Sequence, residues 1–336
     1  MTSPYAAAHA NPQGAGDARP TGSQIIENQG LRGKLNGKVM VLTGATSGIG
    51  LETARALSMT GATLFLTARN LPAAEKAIQD ILVLGRISLI RMDNNSLTSV
   101  RAAATEILTR SNGKVNILVA NAGVMGISDH QLTEDNHEVH FQTNFLSHFM
   151  LFQLLKDALL SSATSDFHSR VVVVASSAHR AATLPKSDDY SFEKSEYDHN
   201  MAYAGSNLAK IYLANEVNRR YSSQGLFATS LHPGAINTNI SRNIGPEFVQ
   251  QILANPDVVK VLKSPEQGAA TTVLAAVGRE WESRGGVYLE DCAEAKRGVD
   301  DGQVFGSGWV EQTFNPEAEG RLWRDALELV YFKVGA

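Results

Sequence analysis

The regular alternation of short β-branched apolar runs with longer stretches of helical periodicity is what most limits the folds open to this chain. The runs fall at Lys38–Thr43, Thr63–Thr67, Ile87–Arg91, Val115–Ala120, Val171–Ala175 and Leu226–Leu231. Between and after them the spacing predicts helices near Ile49–Met59, Ala73–Leu84, Leu97–Arg110, Thr133–Leu160, Met201–Ser223, Pro265–Val277 and Glu317–Phe332. Continuous apolar runs mark strands buried on both faces, and strands separated by helices are joined by crossovers that make them parallel. The expected fold class is α/β: a Rossmann-type doubly wound parallel sheet in a single domain.

Residues 1–34 are rich in Ala, Gly, Pro, Asn and Gln and lack the charged start and apolar stretch of a secretory signal. They read as a flexible N-terminal leader, with the domain spanning 35–336. Two segments, His179–Asn200 and Thr238–Pro256, break the pattern. Each follows a strand at its carboxyl end, where an open α/β sheet keeps its ligand crevice, so both are candidate substrate-covering loops. The last helix carries Leu322, Trp323, Ala326, Leu327 and Val330 on one stripe, suited to packing on the body or on a second subunit.

Hydrophobic residues make up 43% and charged residues 19% of the 336 positions, which is ample for a core. A net charge of −4 with no sustained run of Lys or Arg leaves no footprint for nucleic acid or an anionic membrane. No apolar run reaches the roughly 18 residues of a membrane span. The expected partner is a small molecule and the expected compartment cytoplasmic. Cys292 is the only cysteine, so no intrachain disulfide can form, and it reads as a buried thiol.

Thr43-Gly44-Ala45-Thr46-Ser47-Gly48-Ile49-Gly50 leaves a strand and opens a helix, the context that turns a glycine pattern into a phosphate site. Gly44 permits the tight turn, Gly48 lets backbone approach a pyrophosphate, and Gly50 lets helix and strand pack closely. The helix start offers free N–H groups and a favourable dipole. The second strand should deliver a residue to the adenosine ribose about twenty positions later. That position is Arg69, within Thr67-Ala68-Arg69-Asn70, and no carboxylate stands there. A guanidinium suits phosphate oxygens where an acid would repel them, so the expected cofactor is NADP(H) rather than NAD(H).

Asn121-Ala122-Gly123 follows the fourth strand, Asn144 lies in the long helix after it, Ser176 ends the fifth strand, and Tyr203 opens the next helix. With the glycine turn, this order of motifs resembles the short-chain dehydrogenase/reductase family over about Leu35 to Asp291. Within it the chain is most similar to retinol-dehydrogenase-like and WW-domain-oxidoreductase-like members, fungal ones especially. That similarity rests on Thr143-Asn144-Phe145-Leu146-Ser147-His148-Phe149, Ser230-Leu231-His232-Pro233-Gly234, Ser264-Pro265-Glu266-Gln267-Gly268 and Tyr288-Leu289-Glu290-Asp291.

The resemblance implies that Ser176 bonds the substrate oxygen, Tyr203 transfers the proton and Asn144 holds a relay water. Ser177 is adjacent and could take the place of Ser176, since alternation turns only one of them to the substrate. The same resemblance puts Gly44, Thr46, Ser47, Gly48, Ile49, Gly50, Arg69, Asp93, Asn94, Asn121, Ala122, Gly123, Tyr203, Pro233, Gly234 and Thr238 against the cofactor. It also implies a homodimer through Thr133–Leu160 and Met201–Ser223.

The family pattern Tyr-x-x-x-Lys is broken: four residues after Tyr203 stands Asn207, and a lysine appears instead at Lys210. Asn207 can bind ribose hydroxyls but cannot make the phenol more acidic. A cation ~4 Å away contributes up to ~4 kcal/mol at an effective dielectric near 20, so its loss costs up to ~10³ in rate. Lys210 returns to roughly the face of Tyr203 two turns on, which leaves open a ribose or water-mediated contact or a plain structural role. Tyr190-Ser191-Phe192-Glu193-Lys194 matches the spacing but precedes the expected helix, and reads as a decoy.

A phenol near its ordinary pKa of ~10 is protonated at neutral pH, which suits donation. The leading expectation is therefore NADPH-dependent reduction of a ketone or aldehyde in a lipophilic small molecule of secondary metabolism. Because of Asn207, two others stay open. One is isomerisation, dehydration or cyclisation on an NADP(H)-bound site without net redox; the other is a non-catalytic NADP(H) sensor.

Overall fold

The computed structural model describes residues 3–184, 189–243, 245, 250 and 254–331. The six expected strands form as β1 (Val39–Thr43), β2 (Thr63–Ala68), β3 (Ile87–Arg91), β4 (Ile117–Ala120), β5 (Ser169–Val174) and β6 (Leu226–Leu231). They pair in parallel in the order β3-β2-β1-β4-β5-β6. Two strands not anticipated extend the sheet: β7 (Tyr288–Glu290), parallel to β6, and β8 (Ala293–Glu294), antiparallel to β7. Asp291 and Cys292 join them with φ of 50° and 57°, the left-handed pair that a two-residue hairpin loop needs.

The helices are α1 (Ala6–His9), α2 (Gly22–Asn28), α3 (Gly48–Ser58), α4 (Leu71–Ala77), α5 (Leu97–Arg110), α6 (Ser147–Ser162), α7 (His199–Tyr221), α8 (Pro256–Val261), α9 (Pro265–Val277) and α10 (Pro316–Tyr331). Alternation along β1 divides the core. Val39 and Val41 enter the layer shared with α5, α6, α7 and α10; Met40 and Leu42 enter the layer shared with α2, α3 and α9. The architecture is the single-domain Rossmann-type sheet. Among the described residues no helix is long and apolar enough to cross a membrane.

Several expectations need correction. Within the expected leader, the described residues 3–34 pack on the body: α2 starts on a reciprocal cap between Thr21 and Gln24, and Ile25 and Ile26 are fully buried. Arg19, also buried, binds Asp17 and the carbonyls of Gly14, Val261 and Leu262. Two adjacent isoleucines carry this docking without any periodicity to announce it. Helix α4 stops at Ala77 rather than Leu84: Ile78 is still buried, but Leu82, Val83 and Leu84 are exposed and give a longer helix no apolar face to bury. The helix expected from Thr133 begins only near Val139, after a turn at Asn136 with φ 61°, and passes through a π-helical turn, Phe141–Leu146, before α6.

The stripe on α10 packs on the body. Leu322, Trp323, Ala326 and Val330 are buried, and Trp323 meets Phe149 and Phe152 of α6 and Tyr221 of α7. Through Trp323 the chain's own last helix occupies part of the faces expected to form a dimer. Phe332, and residues 185–188, 244, 246–249 and 251–253 of the two expected loops, lie outside the described residues.

Candidate active site

The helices that follow β1 and β4 go to opposite faces of the sheet, so a crevice opens at the carboxyl ends of these neighbouring strands. A cavity of about 1140 Å³ fills it. Gly44, Thr46, Ser47, Gly48, Ile49, Gly50, Arg69, Asp93, Asn94, Asn121, Ala122, Gly123, Asn144, Ser176, Tyr203, Asn207, Pro233, Gly234 and Thr238 all line this one cavity, as do Ser177 and Lys210. Tyr190 does not: it stacks on Phe141 at 4.8 Å and donates to Asp325, a structural role.

The glycine turn is dictated by space. Gly44 has φ 70°, and a Cβ there would lie 2.9 Å from Ala122 Cα. A Cβ on Gly50 would lie 2.1 Å from the Gly44 carbonyl oxygen and 2.6 Å from Asn121 Nδ2, which leaves no room for another residue. Helix α3 starts at this turn with no side-chain cap from Ser47, whereas α2, α4, α5, α7, α8 and α9 each begin on a capping side chain. Its first amides and dipole face the cavity free for an anion, which fits the diphosphate of a dinucleotide. Arg69 stands exposed where β2 ends. Asp93 follows β3, and its carboxylate accepts the Asn95 N–H at 3.0 Å. The Asn94 amide nitrogen is engaged with the Thr143 carbonyl (3.2 Å) and Ser147 Oγ (2.7 Å), so this side chain anchors the start of α6.

A buried relay of hydrogen bonds fixes the floor. Thr43 Oγ1 accepts the N–H groups of Asn121 and Ala122, both at 2.9 Å, and donates to His148 Nε2 at 2.8 Å. His148 Nδ1 in turn donates to the Asn144 carbonyl at 2.8 Å. Burial and the neighbouring Lys210 charge push His148 down to about 3, so it stays neutral. Asn144 sits in the π-helical turn, a distortion common at functional sites. Its side chain brackets two elements: Oδ1 accepts the Val124 N–H at 2.8 Å, and Nδ2 donates to the Val124 carbonyl and to Ser206 Oγ on α7. Thr43 and His148 were not singled out from sequence, because neither belongs to a local pattern.

Ser176 and Asn207 flank the Tyr203 phenol, and each favours its ionised form. Burial raises the phenol above its usual value and outweighs these two neighbours, so Tyr203 is protonated at neutral pH. Ser177 instead is buried, with its N–H on His232 Nδ1 at 3.2 Å. Asn207 Nδ2 also donates to the main-chain carbonyl of Tyr203 at 2.9 Å. Lys210 is buried, with its ammonium 3.5 Å from the Ala122 carbonyl, and burial lowers it to about 7. Lys263, missed in the sequence, is buried under the Pro233-Gly234 turn. It donates to Asp291 at 2.6 Å and to the Pro233 carbonyl at 3.3 Å.

Comparisons with known proteins agree with this geometry. A family model described as short chain dehydrogenase matches residues 38–248. The chain is 41% identical to the short-chain dehydrogenase/reductase prx1 of Penicillium rubens, over 97% of this chain and 94% of that one. It is 39% identical to the WW domain-containing oxidoreductase of Gallus gallus, over 82% of this chain and 66% of that one. Among solved structures, an uncharacterized protein from Mycobacterium Paratuberculosis superposes with a TM-score of 0.66 at 25% identity, covering 98% of both chains. Uncapped helix, glycine turn and Ser–Tyr pair on one cavity, together with these matches, make the chain a member of the short-chain dehydrogenase family of oxidoreductases.

Proposed function

We propose that this protein is an NADPH-dependent reductase of a ketone or aldehyde in a lipophilic small molecule of secondary metabolism, acting in the cytoplasm. The observation that carries the reading is the Ser176–Tyr203 pair, whose phenol stays protonated, opening on the same cavity as the uncapped start of α3. Gly44, Gly48 and the first amides of α3 would hold the diphosphate of NADPH, Arg69 its 2′-phosphate, Asp93 its adenine, and Pro233, Gly234 and Thr238 its nicotinamide end. The bound cofactor supplies the hydride that a carbonyl carbon accepts.

The chain's own residues do the rest. Ser176 donates a hydrogen bond to the carbonyl oxygen and orients it, and Tyr203 gives its phenolic proton to that oxygen as negative charge develops there. Asn207 offers its amide to the ribose hydroxyls. Lys210 places partial positive charge beside the Asn121–Gly123 turn. Met125, Val258, Val261, Val304 and Phe305 line the same cavity and suit an apolar substrate body.

Asn207 supports a second reading. With no cation one turn beyond Tyr203 and Lys210 only half charged near pH 7, the site would hold NADP(H) while isomerising, dehydrating or cyclising a substrate, or would only sense the cofactor. Incubation with NADPH and candidate ketones, followed by mass detection, separates them. The first reading requires alcohol and oxidised cofactor in equal amounts. Product without cofactor consumption assigns the second, and cofactor binding without any product assigns the sensor.

A further inference from the structure

Residues 299–308 cross the cavity as a loop without helix or strand and bring Val304, Phe305, Gly306 and Ser307 to its lining. Phe305 is 75% exposed, an unusual state for a large apolar ring that already faces a ligand cavity. One side chain holds the loop in place. Arg180 is 3% exposed, and all five of its N–H groups are used. Nε donates to the Gln303 carbonyl at 2.9 Å; Nη1 donates to the carbonyls of Ser307 and Gly308 at 2.9 and 3.0 Å; Nη2 donates to the Val299 carbonyl at 2.7 Å and to Asp301 Oδ1 at 2.9 Å.

The loop is shaped to receive this guanidinium. A Cβ on Gly306 would lie 2.6 Å from Arg180 Nη2, and one on Gly298 would lie 2.5 Å from Nη1. From the sheet side, the Glu290 carboxylate accepts the Gly308 N–H at 2.9 and 3.0 Å. Arg180 lies in the 3₁₀ turn Ser177–Ala181, whose cap is Ser176. One short segment therefore sets both the hydroxyl beside the Tyr203 phenol and the loop that carries Phe305.

We propose that Arg180 is a positioning residue for substrate selection, holding loop 299–308 as an apolar wall on which Phe305 packs against the hydrocarbon part of the substrate. This rests on reading the cavity as the site of a lipophilic small molecule, not on the reaction performed there. The neutral fluorophore N-phenylnaphthylamine, titrated into the full chain with and without NADP⁺, reads the wall without turnover.

Phe305→Ala, at an exposed position that leaves folding intact, should weaken probe binding roughly tenfold, as expected for losing part of a buried aromatic contact. Arg180→Ala should weaken it to the same degree, and the double variant no further, because one acts through the other. Gly306→Ala, whose Cβ enters the guanidinium, should reproduce Arg180→Ala by another route if that variant folds poorly. Leu84→Ala, on an exposed loop outside this cavity, should change nothing. Probe affinity within about twofold of the parent in Phe305→Ala, or fully additive losses in the double variant, would overturn the proposal. Cofactor-coupled turnover is measured separately, so failure of the reductase reading and failure of the wall are distinct results.

Discussion

Lys210→Met tests the most unusual group in the cavity. Lys210 is 3% exposed, and among the described residues its ammonium donates one hydrogen bond, to the Ala122 carbonyl 3.5 Å away. Burial lowers the group from the ordinary 10.5 to about 7. Between these values the unfolded chain binds a proton that the folded chain does not, so stability rises with pH across that window and the cost is full below it. At about 1.4 kcal/mol per pH unit, the ceiling of that cost is roughly 5 kcal/mol. Methionine keeps the length and apolar stem without the charge. Allowing for the lost contact, the variant should be more stable at pH 7 by about 2–4 kcal/mol, with the gain fading as pH approaches 10.5. Urea unfolding of both proteins across this range measures it. Lower stability of the variant at pH 7, or a difference that does not move with pH, would refute the reasoning. A side chain kept at such a cost points to use at the site. The parent's NADPH-dependent rate should fall as pH rises through about 7, and the variant should lose both that turnover and its pH dependence.

Other outcomes follow from the same geometry. Asn207→Lys restores a cation one turn after Tyr203 and should raise NADPH oxidation by up to ~10³; an unchanged steady-state rate would show that the phenol's acidity is not limiting. Arg69→Asp should shift cofactor preference from NADPH toward NADH by roughly 100-fold in relative Kd, read by cofactor fluorescence, since a charge-assisted phosphate contact becomes a repulsion. Trp323→Ala removes the ring that α10 sets against Phe149, Phe152 and Tyr221, and should cost about 3–5 kcal/mol in chemical unfolding. The parent should elute as a monomer in gel filtration, because α10 occupies part of the α6 and α7 surface that a dimer would need, and elution as a dimer would refute this.

What was legible in the sequence was what local chemistry enforces. Strands β1 to β6 announce themselves because burial on both faces demands unbroken apolar runs. The glycines at 44 and 50 are readable because part of their constraint lies in the turn itself: Gly44 has a φ of 70°, and a Cβ on Gly50 would lie 2.1 Å from the Gly44 carbonyl oxygen. Strands β7 and β8, three and two residues long, are too short to show a period and depend on the Asp291-Cys292 turn. The docking of residues 3–34 hangs on Ile25, Ile26 and Arg19, which contact residues far along the chain. The rest of the site depends on pairs far apart in sequence. Lys210 meets Ala122 across 88 residues, Thr43 meets His148 across 105, and Arg180 meets Val299 across 119. No spacing rule brings such pairs together before the sheet does. The exchange of Asn207 and Lys210 was visible as a departure, but its consequence, a lysine sealed against the Asn121–Gly123 turn, needed the packing of α7.

The most direct test of the reductase assignment follows the hydrogen itself. The protein is incubated with a ketone that it converts and with NADPH carrying deuterium at the transferable position of C4, and the product is analysed by mass spectrometry. The account predicts an alcohol one mass unit heavier, with the deuterium on the carbinol carbon, and loss of this product in Tyr203→Phe. A product formed at the parent's rate without deuterium would contradict it.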